Sequence, residues 1–388
     1  MPTDASELMR AQPVQPVQPA RREVDDRERE ALEKIAQVRA RPPRFRDEQI
    51  TMAHGAGGKA TATLVRGLLV PAFTSDQSAA GAGVLAALDD AGVVHVDGTG
   101  LALSTDCFVV KPLKFPGGSI GDLAVNGTVN DLAMAGARPI ALTLALVLEE
   151  GLSSEVLRRE VDAIARAAAV AGVSIVAGDT KVVERGHADG MYICTTGLGR
   201  IDPRARLSPA SIQPGDRILV SGRIGDHGTA IMLARGEFEL DAPIESDTRP
   251  LWPAADALLG AAGPALRCMR DATRGGVASV LNELAVASGV AMLVQEGAVP
   301  VHPAVIGACE ILGIDPMYVA NEGKLVAVVA ADAAERALAA LRAVPGCEDA
   351  AEIGEVHTEP SGMVLVQTAF GGRRVMDLLV GDPLPRIC

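Results

Sequence analysis

The chain has 388 residues, of which 48% are hydrophobic and 2% aromatic, enough for two domains with cores of Ala, Val, Leu and Ile. Its net charge of −13 argues against a nucleic-acid-binding surface, which needs clustered Lys and Arg. An acidic protein can still bind a nucleotide when Mg²⁺ lies between carboxylates and phosphates. The sequence has neither an apolar run of about 18 residues nor the features of a secretory signal, so we expect no transmembrane helix and no export.

The six cysteines are dispersed, with no CxxC pair and no zinc-ligand spacing. This pattern is typical of a reducing compartment and predicts a cytoplasmic protein. Cys388 ends the chain in the segment PLPRIC. The other five have apolar or Ala-rich surroundings in the sequence, and we expect them to be small core residues: Cys107, Cys194, Cys268, Cys309 and Cys347.

Residues 1–48 differ in character from the rest of the chain. They contain the repeat QPVQPVQP followed by a highly charged segment. The repeat suits an extended linker, and the charged segment a solvent-exposed helix. We therefore expect an appendage, with a role in partner binding as the alternative.

A glycine-rich loop, HGAGGK at 54–59, is the first feature with a chemical meaning. Glycines let backbone amides approach an anion, and Lys59 adds a positive charge. The loop is not a Walker A motif, because Ala53 stands where the first glycine belongs and Ala60 follows the lysine.

The next elements bring acidic residues to separate positions. A strand over 101–106 ends in Asp106, and a helix from Ser119 to about Ala135 carries Asn130 and Asp131. The apolar run 140–148 predicts a strand buried on both faces, and 153–171 an amphipathic helix. A strand over 173–177 precedes Asp179, Thr180 and Lys181. Asp106, Asp131 and Asp179 could form a Mg²⁺ site, although surface aspartates are the simpler interpretation.

A second series of elements follows a linker near 199–214. Asp226 and His227 open a short helix there, where His227 could contact a substrate or act as a local cap. Asp271 precedes a Gly pair that leaves amides free at a helix start, a plausible phosphate site. The segment Asn321-Glu322-Gly323-Lys324 is either an acid/base pair or a surface turn. Strands and helices mix in an α+β order in both halves.

Together these motifs resemble the HypE family of hydrogenase maturation proteins. They are carbamoyl dehydratases in the ATP-binding superfamily that includes aminoimidazole ribonucleotide synthetase (PurM) and selenide water dikinase. The terminal PRIC distinguishes this family within the superfamily, whereas 1–48 lies outside the family pattern and 74–100 matches it loosely. The matching segments are HGAGGK (54–59), STDCFVVKPLKFPGG (104–118), GTVNDLAMAGARP (127–139), AGDTKVVERG (177–186), SGRIGDHG (221–228), MRDATRGG (269–276), ANEGKL (320–325) and PLPRIC (383–388).

The resemblance implies an α+β fold of two PurM-like domains and a homodimer formed through the N-terminal one. The implied divisions are a disordered, charged extension (1–48), an ATP-binding domain (49–203), a C-terminal domain (204–380) and a flexible tail (381–388). Carried over onto matching positions, the catalytic residues are Cys388, Glu322 and Lys181. The metal ligands are Asp106, Asp131 and Asp179. The nucleotide-binding residues are Lys59, Asp106, Asn130, Asp131, Asp179, Thr180, Asp226 and Asp271.

The resemblance also implies a reaction that uses ATP and Mg²⁺. A carbamoyltransferase, HypF, loads a carbamoyl group onto Cys388, and ATP-dependent removal of water converts the thiocarbamate into a thiocyanate. Glu322 is the expected base, with Lys324 tuning or orienting it. The cyanide then passes to the iron of a nickel–iron hydrogenase precursor on a HypC–HypD complex.

Two other classes of function remain open from the sequence. Aminoimidazole ribonucleotide synthetase and selenide water dikinase share the ATP chemistry, but the first has no use for a terminal thiol. The second needs Cys or selenocysteine in its glycine-rich loop, and HGAGGK has none. A non-catalytic nucleotide-binding assembly factor is the alternative outside enzymes.

Overall fold

The computed structural model describes residues 44–74, 89–236, 243–379, 381 and 386–388. The predicted extension 1–48 therefore lies almost wholly outside the described residues, as does most of the tail before Arg386. No helix in the described part of the chain is long and apolar enough to cross a membrane.

The N-terminal half contains a five-stranded sheet in the order β1-β2-β7-β5-β6. β5 and β6 are parallel, and the other neighbours are antiparallel. The strands of this half are β1 (Gly92–Val96), β2 (Thr99–Phe108), β3 (Lys114–Phe115), β4 (Gly118–Ser119), β5 (Ala137–Glu149), β6 (Ser174–Val183) and β7 (Met191–Ile201). The helices are α1 (Lys59–Leu64), α2 (Val70–Thr74), α3 (Ile120–Met134) and α4 (Ser154–Ala171), with a π-helical segment, Val65–Leu69, joining α1 to α2.

Helices α3 and α4 cover one face of this sheet. Ser153 caps α4 by accepting a hydrogen bond from the Glu155 amide, and Gly172 ends the helix at φ 69°, a conformation that favours glycine. The apolar stripe of α4, including Ile164 and Ala168, packs with α3 and with inward side chains of β5 such as Leu142. The boundaries predicted for both helices agree with the structure.

No helix among the described residues covers the other face of the sheet. The sequence predicts that 140–148 is buried on both faces, but most of that segment is only half-buried, because helices pack on one side alone. β6 forms the edge of the sheet and is exposed almost throughout, with Val176 and Val182 64% and 67% exposed. The prediction of two-sided burial is thus wrong for the isolated chain.

The C-terminal half contains a seven-stranded mixed sheet in the order β14-β13-β10-β12-β8-β11-β9. Its strands are β8 (Arg217–Val220), β9 (Leu266–Asp271), β10 (Ala291–Gln295), β11 (Leu325–Val329), β12 (Ala351–His357), β13 (Val364–Gln367) and β14 (Arg373–Met376). Its helices are α5 (Asp226–Ala234), α6 (Trp252–Ala262), α7 (Gly276–Ser288), α8 (Pro303–Leu312) and α9 (Ala334–Arg342).

The two halves meet along α3, which is buried almost completely. Ala133 and Met134 near its end pack with Leu251 and Leu258 of the C-terminal half. This arrangement places β2 and α3 of one half beside β9 and the start of β11 of the other. The predicted two-domain α+β architecture is confirmed.

Candidate active site

A cavity of about 360 Å³ lies where the two halves meet. β2 and α3 form one wall, and the end of β9 with the loop before β11 forms the other. The end of the chain reaches into it. The lining residues are Asp90, Leu103, Ser104, Thr105, Asp106, Gly127, Asp131, Asp271, Thr273, Arg274, Glu322 and Cys388.

Five carboxylates line this cavity, Asp90 and four that come from different elements. Asp106 comes from β2, Asp131 from α3, Asp271 from the end of β9 and Glu322 from the loop before β11. Burial, followed by repulsion from neighbouring carboxylates, raises the pKa of Asp131, Asp271 and Glu322 well above the ordinary range. The cavity therefore favours protonated carboxyl groups or a bound cation.

Two of these carboxyl groups have unsatisfied atoms. Asp271 Oδ2 and Glu322 Oε1 are buried and have no hydrogen-bond partner among the described residues. A buried polar atom without a partner is costly, so such atoms are commonly found where a ligand, water or ion completes the site.

The loop that carries Glu322 is held by a buried ion pair. Lys324 Nζ lies 2.9 Å from Asp247 Oδ2, and Asp247 Oδ1 accepts a hydrogen bond from the Glu322 backbone amide at 3.0 Å. Asn130 Nδ2 donates to the Glu322 carbonyl at 3.3 Å. Lys324 therefore orients Glu322 through Asp247.

Arg274 brings a positive charge to the cavity rim. Its guanidinium lies 3.6 Å from Asp106 and donates to the Gly55 carbonyl at 3.1 Å, which joins the glycine-rich loop to the cavity. Gly57, at φ 77°, packs so closely that a Cβ there would lie 3.0 Å from the Arg274 Cβ. The glycine-rich loop thus supports Arg274.

The end of the chain is docked against β2 and α5. The Cys388 carbonyl accepts a hydrogen bond from the Val109 amide at 3.1 Å, just beyond the end of β2. Ile387 is 2% exposed, and its carbonyl accepts from His227 Nε2 at 2.6 Å. Arg386 forms an ion pair with Asp189.

His227 is itself fully buried and fixed on both sides. Its Nδ1 accepts a hydrogen bond from Ser246 at 2.8 Å, and its ring contacts Phe115 edge to face. Burial lowers the pKa of His227, so the ring is neutral and donates through Nε2. The sequence left open a substrate contact or a local cap. Among the described residues the structure shows no side-chain cap at the start of α5, and it places His227 in contact with the docked chain end.

The structure does not bring Asp179, Thr180 and Lys181 to this cavity. They lie on β6, which is separated from β2 by β5 and β7, a span of about 14 Å at ordinary strand spacing. The Lys181 and Asp179 side chains are 71% and 65% exposed and form an ion pair at 3.0 Å. The hydrogen bond from Lys181 lowers the pKa of Asp179.

Three further predicted residues also lie outside the cavity lining. Lys59 forms an exposed ion pair with Asp377 at 2.8 Å. Asn130 is buried, donating to the Arg249 carbonyl and accepting from the Leu251 amide. Asp226 begins α5, and burial raises its pKa.

Several lining residues are absent from the sequence prediction. Asp90 lies in the stretch 74–100, which matches the family only loosely. Ser104 opens the segment STDCFVVKPLKFPGG, and it donates a hydrogen bond to Asp131. Thr273 and Arg274 lie inside MRDATRGG, where the Gly pair signals a phosphate site without identifying the charged partner.

The prediction that five cysteines are core residues is partly wrong. Cys268, Cys309 and Cys347 are buried, but Cys107 is exposed and Cys194 is half-buried. Their positions on β2 and β7 explain the error, because both side chains lie on the uncovered face of the sheet.

Comparison with known proteins agrees with this architecture. Residues 88–201 match the N-terminal domain family of AIR synthase related proteins, and residues 213–367 match the C-terminal domain family. A carbamoyl dehydratase HypE from Rhodobacter capsulatus is 48% identical over 345 residues, covering 89% of this chain and 99% of that protein. The chain belongs to the HypE family.

Solved structures of HypE proteins share the fold. A chain of a HypE–HypF complex superposes with a TM-score of 0.74 at 45% identity, covering 80% of this chain and 99% of that chain. A HypE structure in complex with ATP has a TM-score of 0.72 at 42% identity, covering 88% of this chain and 100% of the other. The predicted family is confirmed.

Proposed function

We propose that the protein is an ATP-dependent carbamoyl dehydratase whose substrate is carried on its own Cys388. The observation that carries this proposal is the position of Cys388, which lines a cavity with five carboxylates and an arginine. The hydrogen bond between His227 and the Ile387 carbonyl holds the chain end, which keeps the Cys388 thiol at the cavity. The HypE relatives supply the reaction class, and HypF in the related complex supplies the class of carbamoyl donor.

The reaction balances without free water. The oxygen of the S-carbamoyl group attacks the γ-phosphorus of ATP, and ADP leaves. The C–O bond then breaks, phosphate leaves with that oxygen, and two N–H protons are removed. Cys388 is left as a thiocyanate, with ADP and phosphate as the other products.

Glu322 is the best-placed base for the amide protons. Burial and neighbouring carboxylates raise its pKa, which brings a carboxylate closer to the strength required of a base near neutral pH. The Lys324–Asp247 pair and Asn130 hold its backbone. Among the residues that line the cavity, Arg274 is the positively charged one, and it can stabilise charge on the transferring phosphoryl group.

The donor set also suits Mg²⁺ entering with the nucleotide. No three His, Cys, Asp or Glu side chains in the described ranges form a metal site by themselves. Mg²⁺ usually takes one or two carboxylates and completes its shell with water and phosphate oxygens. Asp106 and Asp131, with the unpartnered Asp271 oxygen, would hold it. Bound there, the ion would neutralise phosphate charge.

We further propose that Asp179 and Lys181 act in a homodimer. The uncovered face and edge of the N-terminal sheet carry exposed apolar side chains, including Val176 and Val182, and the buried-strand pattern of 140–148 suits a covered face. A second copy packed there would bring its β6 residues toward a cavity they do not reach within one chain. A homodimer would thus allow Asp179 and Lys181 to serve the site, as the sequence predicts, although they lie far from the cavity of their own chain.

The partners and location follow from this role. We propose HypF as the carbamoyl donor and a HypC–HypD complex as the cyanide acceptor, both in the cytoplasm. Transfer of cyanide to iron breaks the S–C bond and takes up two electrons, which the acceptor complex would supply, and it regenerates the Cys388 thiol for another cycle.

Replacing the carrier thiol tests the function directly. Cys388→Ala should fold and bind ATP normally but take up no carbamoyl group from the donor enzyme, carbamoyl phosphate and ATP. Peptide mass spectrometry measures the modification, and Cys107→Ala is the matched control because it removes a thiol that does not line the cavity. A carbamoyl group on any other cysteine would contradict the proposal.

A further inference from the structure

The last three residues of the chain, Arg386, Ile387 and Cys388, lie in a groove that contacts each of them. We call it the tail groove; it is formed by the segment after β2, the loop between β6 and β7, and α5. The two segments of the N-terminal half lie at one end of its sheet and not on its uncovered face. The proposed second copy therefore need not cover the tail groove.

Main-chain hydrogen bonds hold the tail at two alternate residues. The Arg386 carbonyl accepts from the Lys111 amide at 3.3 Å and from Arg235 Nη2 at 2.7 Å, and the Cys388 carbonyl accepts from the Val109 amide. Arg235 is fixed in turn, because its Nε donates to the Lys111 carbonyl at 2.9 Å. This alternation resembles the addition of a strand to a sheet edge, in which main-chain bonds provide affinity and side-chain pockets provide selectivity.

Side-chain contacts add selectivity at two positions of the tail. Ile387 is 2% exposed and belongs to the hydrophobic cluster that includes Phe108 and Val305. A polar side chain in its place would be buried among apolar groups. Arg386 forms an ion pair with Asp189, and an acidic residue at that position would face a like charge. The tail groove therefore favours a basic residue followed by an apolar one.

The cysteine is held through its backbone while its side chain serves the cavity. His227 fixes the peptide unit before Cys388 through the Ile387 carbonyl, and Val109 holds the Cys388 carbonyl. Cys388 also lines the cavity with the carboxylates and Arg274. The tail groove can thus hold the chain end whether the sulfur carries hydrogen, a carbamoyl group or a cyano group.

We propose that the tail groove is a sequence-selective site for peptides that end in Arg-Ile-Cys, and that it also binds such a peptide from a separate molecule. Each hydrogen bond and ion pair that holds the tail joins it to a position at least 151 residues away in sequence, so recognition does not need the covalent link. The proposal rests on the proposed function and defines its substrate as a terminal S-carbamoylcysteine preceded by Arg-Ile. The attached tail then differs from a free peptide chiefly in its effective concentration.

Displacement of the attached tail in the full chain tests the proposal. The probe is a synthetic peptide of residues 383–388 with Cys388→Ala, which does not consume a thiol reagent. At millimolar concentration it should accelerate labelling of Cys388 in the protein several-fold, because short linkers give effective concentrations of about that size. Peptide mass spectrometry measures the labelling.

The matched control is the same peptide with Ile387→Asp as well. It lacks the apolar anchor, so about 10–100-fold more of it should be needed for the same acceleration. Equal acceleration by the two peptides, or none by either, would overturn the proposal.

Variants of the protein test the contacts one at a time. Binding of the fluorescein-labelled probe is followed by anisotropy in the full chain carrying Ile387→Asp, whose own tail has lost its anchor. Arg235→Gln should weaken binding about tenfold and Asp189→Asn a few-fold. Arg158→Gln, an exposed site on α4, should change nothing. Unchanged affinity in both groove variants would overturn the proposed recognition, and the displacement measurement does not depend on the Ile387→Asp protein.

The peptide site and the proposed function can fail separately, because neither binding measurement uses ATP or a carbamoyl group. A chain that loads and dehydrates its own Cys388 but binds no peptide would overturn the peptide site alone. Selective peptide binding by a chain whose Cys388 takes up no carbamoyl group would support the peptide site and contradict the proposed function.

Discussion

Two acidic regions of the molecule have opposite electrostatic surroundings. At the junction of the halves, burial and mutual repulsion raise the pKa of Asp131 and Asp271. On β6, an exposed lysine lowers the pKa of Asp179. In the first region, buried carboxyl groups repel one another when ionised, and a bound cation with its phosphates can relieve that repulsion. In the second region, solvent screens an exposed ion pair. The junction is therefore ready to bind within one chain, whereas the proposed role of β6 requires the proposed second copy.

The largest expected effect is at the junction. Glu322→Gln removes the proposed base and should slow dehydration by about 10²–10⁴-fold. Carbamoyl loading of Cys388 should be unchanged, because it does not need this base. Quantitative mass spectrometry of the C-terminal peptide separates the two steps, and Glu348→Gln is the exposed-glutamate control. Dehydration within a few-fold of the parent protein would remove Glu322 from the mechanism.

The second region can be tested by complementation. Lys181→Ala should reduce dehydration by about 10–100-fold through loss of a positive charge near the transferred phosphoryl group. In an equal mixture with Cys388→Ala, about half of the Lys181→Ala chains should pair with a Cys388→Ala chain, whose intact Lys181 would reach their site in a two-fold dimer. The Lys181→Ala chains, which carry the thiol, should therefore recover up to about half of their activity.

The matched control is a mixture of Lys181→Ala with the double variant Lys181→Ala/Cys388→Ala, which has no intact lysine to donate. Recovery there, or none in the first mixture, would mean that Lys181 does not act across copies.

A smaller effect is expected where the chain end docks. His227→Ala removes a buried hydrogen bond to the Ile387 carbonyl, so labelling of Cys388 by a thiol reagent should become about tenfold faster. The apparent KM for ATP should change less than the dehydration rate, because His227 contacts the tail and does not line the cavity. His227→Gln should restore part of the protection, and His187→Ala, an exposed site, should change nothing. Unchanged labelling in His227→Ala would show that this bond does not hold the tail.

The smallest effect concerns stability without nucleotide or divalent cation. Because the folded-state pKa of Glu322 is raised, ionisation of Glu322 lowers the free energy of unfolding. This destabilisation is absent below the unfolded-state pKa and grows as the pH rises above that value. Glu322→Gln should therefore be more stable than the parent by about 1–3 kcal/mol at pH 7. The difference should vanish near pH 4. Urea denaturation at both pH values measures it, and an advantage that persists at pH 4 would point to packing.

The sequence predicts α3, α4 and the strands at 101–106 and 140–148 correctly because local patterns determine them, whereas α6 is absent from the prediction. The amphipathic α4 ends at Gly172, where the backbone turns left-handed, and the apolar α3 follows its predicted cap at Ser119. The motifs also identify Asp106, Asp131, Asp271, Glu322 and Cys388 as site candidates, and the fold brings these five together.

Long-range placement could not be predicted in the same way. Nothing local indicates that Asp179 lies on a strand three positions from β2 in the sheet, or that Asp247 lies between Lys324 and Glu322. Arg274 lies within MRDATRGG, whose glycine pair by itself already suggests a phosphate site, so the sequence does not single out the arginine. Cys107 and Cys194 are 87 residues apart in sequence, and their contact is recognisable only from the register of β2 and β7.

A single-turnover experiment tests the central claim most directly. Protein carrying a carbamoyl group on Cys388 is mixed with ATP and Mg²⁺, and the C-terminal peptide and released phosphate are followed together. The account predicts that the peptide loses the mass of one water as one phosphate per chain appears, with Glu322→Gln retaining the carbamoyl group. Phosphate release without that mass loss, or mass loss without ATP, would contradict it.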